Sequence, residues 1–331
     1  MLNRENYGAI IVTATFVILI TLGGFLPITT YGQALNDSNP SQAPSADQRT
    51  ILDGGTTNTS CNCVVFRFDD IQDYYLTDAQ VAMMNLFISK NQSLSLGLIM
   101  NHLGNDSKII NKVHEGDQKG LFELALHGWN HVDYTKISEQ EQKDTLFKAN
   151  EKMQKLFGHK SQIFIGPEDT FNNGTLKAMG QLGLKIVSAG AHAENVLDQN
   201  RSVFIANGEI NNNKIKQVIY HLPSTLIFKN HVKGGNWVSR PLATILAAVD
   251  NNIKKYGYAV VNLHPVDVAQ VNMTAMKDGV KNGDVYMKLL DLNEFNKLSH
   301  LIDLLLSQKI HITSFSKIVG IEPISRDSSL K

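Results

Sequence analysis

Short apolar runs alternate with helical patterns from Val64 onward. The runs have the length of buried strands, and the longer segments between them carry apolar residues at the spacing of amphipathic helices. This alternation is typical of βα units around a mainly parallel sheet or barrel. The candidate strands are Val64–Phe68, Leu94–Met100, Phe122–Leu126, Ile163–Ile165, Lys185–Ala189, Val218–Leu222, Ala259–Leu263 and His311–Ser314.

Helix boundaries can also be placed along the chain. Ser138 and Glu141 form a capping-box pattern, and Gly158 supplies the stop of the helix that follows. Pro241 lies near the start of a second helix, which Gly257 ends. Residues 61–321 are therefore predicted to form one α/β domain of the size that an irregular (β/α) barrel needs, followed by a C-terminal tail at 322–331.

Residues 1–34 are predicted to direct export. After position 5 no charged residue occurs until Asp37, and the intervening segment is long and apolar. Gly32 and Ala34 fit the small residues that precede a signal-peptidase cleavage site. The apolar run is also long enough to stay as a single membrane anchor. Both outcomes predict an extracytoplasmic protein, either secreted or anchored in the membrane.

Residues 35–60 are rich in Ser, Asn, Thr, Pro and Gly and are predicted to be a flexible linker. The two cysteines, Cys61 and Cys63, follow directly. Outside the cell they could form a disulfide, or they could be two small residues that flank the start of a strand. The formal net charge is zero, which argues against a nucleic-acid partner held by bulk electrostatics. No protein partner is inferred.

Polar groups follow three of the predicted strands at their carboxyl ends. Asp69 and Asp70 end the first strand, His127 and His131 follow the third, and His264 follows the seventh. In (β/α) barrels, active sites are built at this end of the strands. Two adjacent carboxylates at the end of a buried strand are costly unless a cation or a shared proton compensates them.

A divalent metal is the predicted compensation. His127 and His131 are four residues apart, so one turn can aim both imidazoles the same way. Asp70 would complete a three-ligand site with open positions for water, and Asp69 would remain as a general base. An H-x3-H pair alone is weak evidence, but the zincin protease alternative is excluded because Gly128 follows His127 where that motif needs Glu.

The stretches "FRFDD", "HGWNH" and "NLHP", in this order, resemble the motifs of the polysaccharide deacetylase superfamily, the NodB-homology domain of carbohydrate esterase family 4. The resemblance extends from Val64 to about Val319 and includes the closing "KIHITSFSKI". It implies an irregular (β/α) barrel. It also implies a metal-dependent hydrolase that removes N- or O-acetyl groups from an extracellular or cell-surface polysaccharide.

Roles follow from the resemblance by position. Asp69 corresponds to the catalytic base, and His264 corresponds to the histidine that assists as an acid. Asp70, His127 and His131 correspond to the metal ligands. Zinc is the expected metal, with cobalt or nickel as alternatives.

The third motif of the family departs from its usual pattern in "IGPEDTFNNGTL". Ile165 stands where the family has an arginine that orients the base, and Glu168 and Asp169 replace Tyr and Gly. Residues two apart on a strand share a face, so Arg67 is predicted to point the same way as Asp69 and to replace the missing arginine. The catalytic residues predicted from the sequence therefore include Arg67.

Substrate contacts are predicted on both sides of this centre. Glu168 lies in the altered third motif, where a backbone N–H near Pro167–Glu168 is expected to meet the oxyanion. Trp237, in "GGNWVSR", is the candidate from the fourth motif, although a surface or core Trp is an equal reading of it. Arg240 beside it is an alternative to Arg67.

Two other classes of function remain open. One is a carbohydrate- or metal-binding module that keeps the scaffold but has lost turnover, as the missing arginine would allow. The other is a hydrolase of a small non-sugar amide. Asp69 and His264 supply both a base and an acid, and this favours an enzyme.

Overall fold

The computed structural model describes residues 49–51, 61–190, 202–210, 213–232, 236–271 and 286–322. Within these ranges, helices alternate with the strands of one central, mainly parallel sheet, as predicted for an irregular (β/α) barrel in a single domain. None of the helices in the described ranges is long and apolar enough to cross a membrane. The predicted export segment at residues 1–34 lies outside the described residues, as does nearly all of the predicted tail.

The elements are numbered in chain order. The strands are β1 (Arg49–Ile51), β2 (Cys63–Ile71), β3 (Leu94–Leu98), β4 (Phe122–Leu126), β5 (Ile163–Ile165), β6 (Ile186–Ser188), β7 (Ser202–Ile210), β8 (Asn213–His221), β9 (Leu226–Ile227), β10 (Lys229–Val232), β11 (Asn236–Ser239), β12 (Tyr258–Leu263), β13 (Ala269–Val271), β14 (Tyr286–Leu290) and β15 (His311–Thr313). The helices are α1 (Thr77–Ser89), α2 (Ser107–Gln118), α3 (Glu139–Phe157), α4 (Asn173–Leu182), α5 (Leu242–Tyr256), α6 (Leu292–Ser307) and α7 (Phe315–Val319).

The main sheet has the order β1-β7-β8-β6-β5-β4-β3-β2-β12-β9, and β15 also pairs with the start of β2. In this spatial order, every neighbouring pair from β8 to the last strand, β9, is parallel. Strand β7 runs antiparallel to both of its neighbours, β8 and β1. Two separate hairpins are formed by β10 with β11 and by β13 with β14. Parallel strands present their carboxyl ends at one edge, so the ends of β2, β4, β5, β6 and β12 come together there.

Strand β2 is buried on both of its faces. Phe66 and Phe68 belong to the larger hydrophobic cluster, where the Phe66 ring lies 5.1 Å from the ring of Phe87 in α1. Cys63 and Val65 belong to a smaller cluster on the other face. Because side chains alternate along a strand, the face of Cys63 and Val65 continues to positions 67 and 69. The site described below therefore extends from the smaller cluster.

The predicted strands are confirmed, with shifted ends. Strand β3 ends at Leu98, since Met100 begins a 3₁₀ turn, and β8 begins earlier than predicted, at Asn213. The caps are also confirmed: Ser138 accepts from the N–H of Glu141, and helices α3 and α5 end at left-handed glycines.

Parts of the structure differ from the sequence analysis. Arg49–Ile51 falls in the predicted linker but forms β1, the edge strand of the main sheet, because its backbone pairs antiparallel with β7. Strand β7, the short strand β9 and the two hairpins were not predicted. Cys61 and Cys63 are joined by a disulfide, so of the two interpretations of this pair the structure has the cross-linked one.

The packing of α2 on the sheet can be tested by a substitution at Gly116. A Cβ atom at this position would lie 2.1 Å from the ring of Phe122. A Gly→Ala change inside an exposed helix normally stabilises by about 1 kcal/mol. We expect Gly116→Ala to destabilise instead, by roughly 1–3 kcal/mol in urea unfolding, because the ring cannot yield without disturbing β4. Lys108→Ala, an exposed change in the same helix, is the control, and a stabilised Gly116→Ala protein would contradict this packing.

Candidate metal centre and acid–base site

The end of β2 separates the two adjacent carboxylates. The pairing of β2 with β3 shifts register between Phe68 and Ile71, and Asp70 has a left-handed backbone with φ 63°. A residue other than glycine in this conformation costs of order 1–3 kcal/mol and is typical of functional sites. Asp69 is buried toward Arg67, whereas Asp70 faces two histidines.

His127 and His131 converge on one oxygen of Asp70. The Nε2 atom of His127 lies 3.3 Å from Asp70 Oδ1, and the Nε2 atom of His131 lies 3.1 Å from the same oxygen. Gly128 and His131 both have positive φ, and this tight turn brings the second imidazole back toward β2. The three ligand atoms lie within 4.8 Å of one another.

The protonation of His127 follows from its second contact. Its Nδ1 atom lies 2.9 Å from the backbone oxygen of Ile165, which can only accept a hydrogen bond. Nδ1 must therefore carry the proton in the neutral ring, and Nε2 faces Asp70 with a lone pair. This arrangement, in which a carbonyl fixes the ring of a histidine, is typical of metal ligands.

These residues fit a divalent cation. Asp70 Oδ1 is buried and has no hydrogen-bond donor among the described residues, although two ring nitrogens face it. One carboxylate and two imidazoles form a donor set that suits zinc and similar transition ions.

Arg67 makes the contact with Asp69 that the sequence predicted. Both side chains are 1% exposed. The Nε atom of Arg67 donates to Asp69 Oδ1 at 3.0 Å and Oδ2 at 2.9 Å, and Nη2 donates to Oδ2 at 2.6 Å. Burial would raise the pKa of Asp69, but the guanidinium outweighs it and lowers that pKa, so Asp69 is ionised. The alternative, Arg240, donates to the backbone oxygen of Ile227 instead.

His264 directly follows the end of β12, and β12 is the strand next to β2. Its ring lies 5.0 Å from the ring of Trp237. Its backbone N–H donates at 2.7 Å to Asp267, which is fully buried. Burial raises the pKa of Asp267 to about 6. Asp267 was not among the predicted site residues, although an Asp two residues after Pro265 is a signal for a short helical turn whose first N–H is capped by that carboxylate.

The altered third motif forms a 3₁₀ turn, Pro167–Asp169, at the end of β5. Glu168 is 64% exposed, and its Oε1 lies 4.0 Å from Nδ1 of His131, on the side of the ring away from Asp70. Asp169 contacts Arg67 and Ser224. Neither the contact of Asp169 nor the role of Ser224 was predicted. The only available signal was a carboxylate where the family has glycine.

Comparisons with known proteins agree with this architecture. A family model described as polysaccharide deacetylase matches residues 56–187. A comparison with curated protein sequences gives no match. A protein of known structure from Mycobacterium smegmatis, provisionally assigned as a polysaccharide deacetylase, is 14% identical, with a TM-score of 0.52 over 80% of this chain and 94% of that chain.

Two further solved structures are similar at lower scores. The chitin deacetylase of the fungal pathogen Colletotrichum lindemuthianum is 14% identical over 80% of this chain and 90% of its own, with a TM-score of 0.48. A carbohydrate esterase family 4 pseudoenzyme from Bacillus anthracis is 9% identical over 78% of this chain and 65% of its own, with a TM-score of 0.45. At these identities the likeness concerns the fold alone. The family match over residues 56–187 confirms the resemblance predicted from the sequence: over that range the chain is similar to the polysaccharide deacetylase family.

Proposed function

We propose that this protein is a metal-dependent deacetylase that removes N- or O-acetyl groups from an extracellular or cell-surface polysaccharide. The proposal depends on one observation: an ion-paired candidate base and a candidate metal-binding group lie side by side at the end of β2. Asp69 is held by a buried arginine, and beside it Asp70 meets two histidines. The apolar segment at residues 1–34 supports an extracytoplasmic location. The binding-module alternative rested on the missing third-motif arginine, and Arg67 makes the contact expected of it.

Asp69 is the base of the proposed reaction. Its ion pair with Arg67 keeps the carboxylate ionised and turned in one direction, so it is ready to accept a proton from water. A divalent cation held by Asp70, His127 and His131 would polarise the acetyl carbonyl and increase the acidity of water. His264, on the neighbouring strand, gives a proton to the leaving amine or hydroxyl.

The turn at 166–170 supplies the oxyanion contact in this proposal. The N–H groups of Asp169 and Thr170 bond to the carbonyls of Gly166 and Pro167 inside the turn. We therefore assign the backbone N–H of Glu168 to the oxyanion. The exposed carboxylate of Glu168 and the ring of Trp237, next to His264, are assigned to the glycan.

The first prediction concerns metal content. His127→Ala and His131→Ala each remove one of three protein ligands. We therefore expect the zinc affinity of each variant to fall at least tenfold. The measurement is metal analysis after dialysis against zinc. His159→Ala is the control, since His159 pairs with Asp117 away from the site. Full stoichiometric zinc in both site variants would show that the metal lies elsewhere.

The second prediction divides the work of the two carboxylates. Asp69→Asn keeps its zinc but loses acetate release from acetylated chitooligomers and acetylxylan by about 10²-fold or more, because the base is gone. Asp70→Asn loses zinc as well as activity. Acetate release and zinc content are measured on the same samples. Equal loss of zinc in the two variants would refute this division.

A further inference from the structure

We propose that Asp169 is a positioning residue that holds the guanidinium of Arg67 against Asp69 and fixes the neighbouring turn. The proposal rests on the proposed function, in which Asp69 is the base. Asp169 stands where the resemblance leads us to expect glycine, and Arg67 supplies the positive charge that the third motif lacks. We infer that the two residues act as a pair.

Asp169 uses both of its oxygens. Oδ1 accepts from Nη1 of Arg67 at 2.9 Å, and Oδ2 accepts from the hydroxyl of Ser224 at 2.9 Å. The remaining donors of Arg67, Nε and Nη2, are directed at Asp69. A guanidinium is rigid and planar, so a contact at Nη1 sets the plane in which the other donors lie. The hydroxyl of Ser188, 3.2 Å from Nη1, is the weaker neutral partner on the same side.

The charges explain why a second carboxylate is needed. Arg67 is buried, and a buried cation is stabilised only when its donors are fully paired. Asp69 satisfies one edge of the guanidinium, and Asp169 supplies a charged acceptor for the other. The side chain of Asp169 is 31% exposed, so its own charge stays partly hydrated. Asp169 therefore gives the buried guanidinium a charged partner that lies toward the solvent side of the site.

The surroundings of Asp169 are shaped to this side chain. A Cβ atom on Gly190 would lie 2.2 Å from Asp169 Oδ2, so the carboxylate occupies space that only glycine leaves open. Glu168 and Asp169 both have left-handed backbones, with φ of 56° and 58°. The N–H of Gly190 donates to the backbone oxygen of Asp169 at 2.8 Å. Such strain persists only where the surroundings fix the conformation, and here the bonds of Asp169 do so.

The test is a double-mutant cycle in kcat on zinc-loaded protein. We expect Asp169→Ala to lower kcat for acetate release by about 10- to 100-fold, the scale of a misplaced catalytic group, with KM and zinc content nearly unchanged. In an Arg67→Met background the same change should lower kcat by no more than about twofold, because Asp169 acts through Arg67. Asp169→Asn, which keeps an acceptor and tolerates the backbone, should recover most of kcat.

Two milder variants keep the test decisive if Arg67→Met does not fold. Gly190→Ala retains both charges but displaces Oδ2, and Ser224→Ala removes one contact of Asp169. Like Asp169→Ala, both of these changes should lower kcat. Asp250→Asn removes a surface ion pair with Lys254 and is the matched control, with kcat unchanged. Wild-type kcat in Asp169→Ala and Gly190→Ala would overturn the inference and leave the proposed function standing.

Failure of the proposed function would look different. If the zinc-loaded wild type releases no acetate from acetylated chitooligomers or acetylxylan, the deacetylase proposal fails. In that case, urea unfolding tests whether Arg67 and Asp169 act as a pair. We expect the equilibrium constants of the single and double variants at 67 and 169 to be non-additive by about tenfold or more. Additive effects would overturn the inference.

Discussion

The site depends on how two adjacent carboxylates are accommodated at the end of one buried strand. Side chains alternate along β2, so Asp69 and Asp70 can be compensated from different directions. Arg67, two residues earlier on the same face, pairs with Asp69 inside the sheet. Asp70, in a left-handed backbone, faces His127 and His131 and a space suited to a cation. Arg67 neutralises the charge of Asp69, and a cation bound beside Asp70 would allow the second carboxylate to remain ionised as well.

The rest of the fold serves this arrangement. Strand β2 lies inside the sheet between β3 and β12, and its neighbours present their carboxyl ends at the same edge. Strand β4 delivers the two histidines, β5 supplies the carbonyl of Ile165 that orients His127, and β12 brings His264. The turn after β5 adds Asp169 to the other edge of Arg67. Three strand ends and one strained turn thus converge on a single guanidinium and on a single cluster of candidate metal ligands.

The sequence predicted what is encoded locally. Strand positions, helix caps and the alternation that places Arg67 beside Asp69 depend on residues close together in the chain. The order of motifs pointed to three residues that the fold brings together as candidate metal ligands. Asp169 was missed because its contact joins residues 102 positions apart, and nothing near Asp169 marks Arg67 as its partner. Asp267 was missed because its burial follows from the packing of its turn, Pro265–Val268, against α1, α6 and β2, which are far away in the chain. The hairpins lack the long apolar periodicity that marks a core strand, and their segments are strands only because each pairs with its partner.

The central claim is that the two carboxylates have different partners, a cation for Asp70 and an arginine for Asp69. A crystal structure of the zinc-loaded protein, with zinc located by its anomalous scattering, tests this most directly. The account predicts one zinc ion in direct contact with Asp70, His127 and His131, while Asp69 keeps both oxygens on Arg67. A zinc ion bound by Asp69, with Arg67 displaced from it, or a zinc ion away from these three ligands, would contradict the account.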